Sequence, residues 1–589
     1  MSRLYDDSPW YGAAMSELCC SALGAKGDVA EGPRGELAHR DLLDHSEQFE
    51  PRLCHVTDGV YCAVGYGLAN ASFVLAPEGL VIVDSGESIE EAGDHVDAIR
   101  KVTDVPARAV IYSHSHYADG TAAWNDQTGG PPLEVWGHER IPEVRANVGA
   151  EIRPAYLRRL ALQFGLFLPA EGPDAMPNQG LGPFFFNPNH SKRTPGFLPL
   201  THPVSGETQA MIAGERFELI PAAADSEDSL ILWLPDRDTV INNNVWPALF
   251  NVYPLRGELY RDPLLLVAAI DRIRELDPEH LVGVHGPPLS GREAVRKTLR
   301  DYRDAIQYLW DQTVRGINRG RSAEELAHEV QLPPHLERAP KNRQFYGAVP
   351  HHVRQIHNGL FGWYGTDPAE LFPHPPEEEA RRIVEGFGGR ERVLEQTRAA
   401  LDADDPRWAA RLASWLVRVE AGDAKARELG ATALRTIAQR TTSANVRSVC
   451  LTRARELEGQ ADSSRFNTRP AREHQVLAAP PGRFVQALRV QLDPAKSGDF
   501  EGTALWRFTD PDTVAALCVR RGVAEYLDRD PGDAEFELRL THRIWARLFA
   551  GRVSLEDATA AGDVELIGDL SRARAFFDLF DFTKLRGRD

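Results

Sequence analysis

ARAVIYSHSHYADG, residues 107–120, reads as a strand that ends in a pair of histidines. The segment ARAVIYS carries the β-branched, apolar character of a buried strand. Beyond its carboxyl end, His114 and His116 occupy alternate positions, so both imidazoles can point at one ion, and imidazole suits zinc and similar metals. A His-x-His pair alone is a weak signal, more often a surface feature than a ligand set. Its neighbours raise its weight. LVIVDSG (residues 80–86) puts Asp84 at a strand end before the pair, and LVGVHGP (281–287) puts His285 at a strand end after it. Carboxylates and imidazoles collected at strand ends are what an α/β metal site draws on.

Outward from this segment, VYCAVGY, SFVLAP, ELIPA and SLILWLP read as further short strands between Gly, Asn and Pro turns. SIEEAGDHVDAIRKV and PLLLVAAIDRIREL show apolar spacings of three and four, the mark of amphipathic helices. The alternation predicts an α/β layered domain over residues 56–291, with residues 1–55 as a segment that wraps it. Residues 133–210 interrupt the pattern. One long helix (about Ile141–Phe164) and the loop GLGPFFFNPNHSKRTPG (180–196) are expected there, and a loop of that length usually serves as a lid or binding loop. Residues 292–458 read as nearly all helical, and RVLEQTRAALDA, WAARLASWLVRV and KARELGATALRTIAQR resemble stacked helical hairpins. A polar linker over 459–474 leads to a small α+β unit, 475–589, with the strand FELRLTH and the helix IWARLFAG.

At 589 residues the chain is too long for one hydrophobic core. A formal net charge of −19 argues against a nucleic-acid partner, because phosphate contacts need clustered Lys and Arg. The six cysteines are sparse and form no CxxC pair, so neither a disulfide scaffold nor a thiolate zinc site is indicated. The amino-terminal stretch has no apolar core of signal-peptide length, and no run approaches the roughly 20 apolar residues of a membrane span. A soluble, cytoplasmic protein is expected.

The order LVIVD, His-x-His, a carboxylate before a strand, and VGVHGP resembles the metallo-β-lactamase superfamily. FNVYPLRGELYRDP (250–263) and FYGAVPHHVRQIHNGLFGWYGTDPAELFPHPPEEEARRIVEGFGG (345–389) are similar to segments of its alkylsulfatases. The resemblance implies an αββα sandwich, an all-α dimerisation domain and a C-terminal α+β, sterol-carrier-like domain. It also implies a homodimer that hydrolyses an amphiphilic alkyl sulfate ester with metal-activated water. Residue by residue, it assigns His114, His116, Asp225 and His285 to metal. Asn251 and Arg256 fall to the sulfate, and His351 to the proton donor's place. Asp119 is expected to act as base or orienting group beside the metal, and Tyr346 either lines the same pocket or packs.

The chain departs from the family at the second metal. Where the family runs HxHxDH, the Asp here stands one position later and Gly120 ends the motif. The bridging carboxylate is replaced by an amide, Asn243 or Asn244. Two nearby cations repel, and an amide relieves that repulsion far less than a carboxylate does. One firm Zn²⁺ site is therefore expected, with the second doubtful. Alternatives are a mononuclear hydrolase of another ester, such as a phosphoester or lactone, and a non-catalytic dimeric protein that binds amphiphiles.

Overall fold

The computed structural model describes residues 22–125, 131–149, 151–466 and 471–581. It divides into two compact units. One holds the described residues up to 139 with 159–463, and the other holds 140–158 with the described residues from 464 onward.

In the first unit, two large sheets form among the described residues, besides a two-stranded antiparallel ribbon of Val29–Glu31 and Leu37–His39. One contains β1 (Arg52–Thr57), β2 (Val60–Val64), β3 (Ala71–Ala76), β4 (Gly79–Val83), β5 (Ala107–Ile111), β6 (Glu134–His138) and β7 (His202–Val204), neighbours in chain order. β1 to β4 pair antiparallel and β4 to β7 run parallel. The other contains β8 (Thr208–Ile212), β9 (Glu215–Pro221), β10 (Leu230–Leu234), β11 (Thr239–Asn242), β12 (His280–Gly283) and β13 (Leu289–Ser290). Only its β11–β12 step is parallel.

The sheets pack face to face. Val74, Val81, Val83, Ala109 and Ile111 from the first meet Phe217, Leu219, Leu230, Leu232, Leu234 and Ile241 from the second in one core. Ile220, Ile231, Val240 and Leu281 face the other way, against Leu266, Ile270 and Ile273 of helix Pro263–Leu276 and Leu299 and Ile306 of helix Arg292–Ile317. LILWLP is apolar throughout because residues on both faces of its strand are covered. Helix Ile89–Ile99 lies against β1 and β2, which completes an αββα sandwich.

From Arg292 onward this unit is mostly helical. Arg390–Asp402, Pro406–Val419 and Ala424–Arg440 stack in sequence as expected, and Ala444–Leu457 extends the stack. The second unit has a five-stranded sheet ordered Val523–Leu527, Asp512–Arg520, Glu501–Thr509, Phe536–Leu540, Val564–Ile567. Trp506, Trp545, Phe484, Phe536 and Phe576 fill its core. FELRLTH and IWARLFAG supply its strand Phe536–Leu540 and helix His542–Phe549, as read.

Three local expectations are corrected. The wrapping segment includes β1, an edge strand whose half-exposed residues carry no clear apolar alternation. The interruption at 133–210 contains β6 and β7, which continue the parallel sheet. The single long helix is two, Ile141–Gly149 and Arg153–Gln163, the second with Pro154 in its first turn, where a missing N–H leaves no helical bond unmade. The first of these belongs to the second unit, where Ala146 joins the core and Arg153 Nη2 donates to Gln475 Oε1 at 2.5 Å.

Among the described residues, Cys54, Cys62, Cys450 and Cys518 are free thiols, while Cys19 and Cys20 lie outside the described residues. Among the same residues no helix is long and apolar enough to cross a membrane.

Candidate metal centre

The carboxyl ends of β4, β5, β9, β11 and β12 deliver Asp84, His114, Asp225, Asn243 and His285 to one end of the sandwich. The backbone carbonyl of Ser113 accepts from Leu230 N–H at 2.8 Å, which ties the end of β5 to β10 of the facing sheet.

His114, His116 and Asp225 come together, their ligand atoms within 4.8 Å of one another. His114 Nε2 stands 3.6 Å from Asp225 Oδ1, and His116 Nδ1 stands 3.2 Å from Oδ2. Ligand atoms on one tetrahedral zinc sit about 3.3 Å apart, given metal–ligand bonds near 2 Å. The spacing fits such an ion. His114 Nε2 is also buried without a hydrogen-bond partner, an orphaned atom of the kind a metal satisfies.

The tautomer of His114 is set from behind. Asp84 Oδ1 accepts from the Ser113 N–H at 2.8 Å, and its Oδ2 accepts from Ser113 Oγ–H at 2.7 Å. Having spent its proton on Asp84, Ser113 Oγ accepts from His114 Nδ1–H at 2.8 Å. The lone pair is thereby left on Nε2, facing Asp225. Burial keeps His114 neutral, pushing its pKa down to about 3 although Asp225 opposes the shift. Burial works against the Asp225 charge as well, but His116 and Arg261 beside it help hold the carboxyl well below its usual range. Asp84 rises to about 7 because burial outweighs its two bonds from Ser113.

His285 and Asp119 stand outside this group of three. His285 donates Nδ1–H to the Leu68 carbonyl at 2.8 Å, and its Nε2 receives the Tyr117 hydroxyl at 3.4 Å. Burial holds its pKa at about 4. Of the two amides, Asn243 faces the centre, donating Nδ2–H to Asp225 Oδ1 at 2.6 Å, whereas Asn244 donates to the Ala223 carbonyl. Gly120 has a steric cause. A Cβ there would lie 1.9 Å from the Ser85 carbonyl oxygen and 2.7 Å from Ala92 Cβ, so the turn admits no side chain. The backbone carbonyl of Asp119 accepts from Gly196 N–H at 2.6 Å, and the 180–196 loop is pinned further by Thr194 on Glu90 and His190 on Asp94. Within that loop Phe185 is an anchor, stacked on Phe164 with ring centres 4.1 Å apart.

Asn251 and Arg256 are both buried in the loop between β11 and helix Pro263–Leu276. Gln163, which no sequence spacing singles out, accepts from the Arg256 N–H at 2.8 Å and donates to the Tyr346 hydroxyl at 3.0 Å. Tyr346 is buried and so positioned next to Arg256. Arg261, also missed, donates to the Asn251 carbonyl at 2.6 Å and reaches within 4.0 Å of Asp225 Oδ2. Arg256 and Arg261 share the Glu258 carboxylate. His351 sits in the first turn of helix Val349–Phe361, and burial lowers its pKa to about 4. His352 beside it is fully buried, with neither ring nitrogen bonded.

Comparison with known proteins places this arrangement among relatives. A family model described as alkyl sulfatase dimerisation matches residues 322–460, and one described as alkyl sulfatase C-terminal matches 470–586. A linear primary-alkylsulfatase from a Pseudomonas strain is 34% identical over 521 residues, covering 86% of this chain and 98% of that protein. An (R)-specific secondary-alkylsulfatase from Pseudomonas is 29% identical, covering 94% and 84%. The solved structure of a stereoselective inverting sec-alkylsulfatase from Pseudomonas superposes with a TM-score of 0.82 at 25% identity, covering 98% of this chain and 95% of that one.

Proposed function

The chain belongs to the alkylsulfatases, a family of sulfuric ester hydrolases, and on that premise we propose that it hydrolyses alkyl sulfate esters at a single-metal centre. The observation that carries the reading is the group His114, His116 and Asp225, with the lone pair of His114 prepared by Ser113 and Asp84. Three protein ligands from imidazole and carboxylate suit Zn²⁺ and leave a coordination position open. When bound, such an ion supplies Lewis acidity and activates water near neutral pH.

The chain's own groups supply the rest. Arg256 offers a planar fork for two oxygens of a tetrahedral anion, and the buried amide of Asn251 adds a neutral donor. Tyr346 takes Gln163 N–H on its oxygen, so its own proton is available to a sulfate oxygen. Asp119 serves as base or orienting group. His351 serves as proton donor to the leaving group, a role that needs the substrate's negative charge to raise it from its buried value. His285 is assigned to the doubtful second position, where Tyr117 already satisfies its Nε2.

We assign a homodimer to the family's dimerisation segment. Leu360 and Phe361 end helix Val349–Phe361 and Trp363 and Phe372 follow it in the chain, all exposed, Trp363 to 71% and Phe372 to 94%. Large apolar side chains left in water in one stretch mark a partner surface. The C-terminal unit is read as sterol-carrier-like, suited to an alkyl chain.

The test is sulfate release from a series of linear alkyl sulfates, before and after chelation and in Arg256→Ala. Release abolished by chelation and restored by zinc, with a loss of at least about 100-fold in the variant, supports the reading. No release at any chain length would sink it.

A further inference from the structure

The fork that the proposed function gives to sulfate is already engaged by a carboxylate of this chain. Glu258 Oε2 accepts from Arg256 Nε at 3.1 Å and also from Arg256 Nη2, and it lies 3.4 Å from Arg261 Nη2. The side chains of Arg256, Glu258 and Arg261 are 8%, 11% and 4% exposed, so little solvent screens them. Two guanidinium charges against one carboxylate leave a single net positive charge. Gly257, at φ +89°, makes the turn that brings Glu258 back over the guanidinium two residues before it, a conformation an L side chain resists.

We propose that Glu258 is a specificity-determining residue that matches the arginine pair to a monoanionic sulfate ester and against dianions. Those dianions include phosphate monoesters and the product sulfate. The inference rests on Arg256 being the sulfate anchor. An alkyl sulfate carries one negative charge, and its binding neutralises the trio. The Glu258 carboxylate repels a dianion twice as strongly as a monoanion, in a buried pocket where little solvent screens it. The geometry provides a place for Glu258 when an anion takes the fork. Arg261 already contacts the same carboxylate oxygen, and its Nε is buried with no hydrogen-bond partner. Glu258 can pass from Arg256 to Arg261 without entering water.

The experiment compares competition by inorganic sulfate and by methyl sulfate in the metal-loaded enzyme, with inorganic phosphate at high pH as a second dianion. In the unaltered protein, methyl sulfate binds at least as tightly as sulfate. Glu258→Gln keeps the shape and removes the charge, and shifts the ratio of the two affinities toward sulfate by about tenfold or more, because a dianion gains twice what a monoanion gains. Glu258→Asp, which keeps the charge, leaves the ratio within about threefold of the unaltered protein. An unshifted ratio in Glu258→Gln overturns the proposal, as does tighter binding of sulfate than of methyl sulfate in the unaltered protein. Arg256→Ala separates the two readings. If it changes neither affinity, the anchor itself is wrong. If it weakens both anions while Glu258→Gln leaves their ratio alone, only the role of Glu258 falls.

Discussion

Ser113→Ala removes one hydroxyl and with it both bonds of the relay behind His114. Asp84 keeps the Ser113 N–H at 2.8 Å and loses the Oγ–H at 2.7 Å, while His114 Nδ1–H loses its acceptor. All three residues are buried, at 0–1% exposure, so water does not replace the missing partner. A hydrogen bond to a charged group contributes about 1.5–3 kcal/mol, and loss of an outer-shell partner of a ligating histidine costs about 10–100-fold in metal affinity. Tenfold is about 1.4 kcal/mol, so the two estimates meet near 1.5–3 kcal/mol. The expected outcome is a zinc dissociation constant raised about 10–100-fold, read by competition with a chromophoric chelator at neutral pH. Thermal melting of the metal-free protein checks that the variant is folded. A constant within about twofold of the unaltered protein refutes the argument, since the tautomer of His114 then does not depend on Ser113.

His285→Asn keeps an N–H near the Leu68 carbonyl and removes Nε2. Because His285 stands outside the ligand group, the first metal equivalent is retained with affinity within about threefold, whereas Asp225→Asn loses it; equal losses in a zinc titration would contradict this. Gly120→Ala forces a methyl against the Ser85 carbonyl at 1.9 Å, and a destabilisation above about 3 kcal/mol is expected in denaturant unfolding, with near-neutral behaviour counting against the packing. Asp84 titrates near 7 in the folded chain against 3.8 as its ordinary value, so between those pH values the folded state holds a proton that the unfolded state lacks. Its contribution to stability therefore falls as pH rises through that window. Asp84→Asn has no such slope, and metal-free melting curves that run parallel for the two proteins would refute the assignment.

The sandwich was readable because its strands are buried on both faces or end in chemistry. LVIVDSG, ARAVIYSHSHYADG and LVGVHGP each carried an apolar run and a ligand-type residue, and each is a strand end at the centre. β1, β6 and β7 were not readable, since short or edge strands with half-exposed residues carry too little alternation. The same division holds at the site. His114, His116 and Asp225 were found by residue type and order. Gln163 lies 93 residues from Arg256 in the chain, and only the fold brings them together. Ser113 and Tyr117 flank the histidines yet look like filler, because a hydroxyl beside a ligand has no spacing of its own. Glu258 had a signal that went unused, for Arg-x-Glu-x-x-Arg in an otherwise apolar loop already brings a carboxylate near two guanidiniums.

Three features at the second position act through different physics and point the same way. Asn243 is neutral where two cations would need an anion between them, and its amide N–H is committed to Asp225 at 2.6 Å. The Tyr117 hydroxyl donates to His285 Nε2, so a second ion would have to displace a bond already made in a buried place. Gly120 has no room for a side chain of any kind. Each alone weakens a second site; together they remove the charge, the free ligand atom and the space. With one divalent ion on Asp225 and two neutral imidazoles, and one net positive charge on the Arg256, Glu258 and Arg261 trio, a monoanionic ester meets an excess of positive charge on both sides. On the proposed reading, a single ion is what the surrounding charges are arranged to serve.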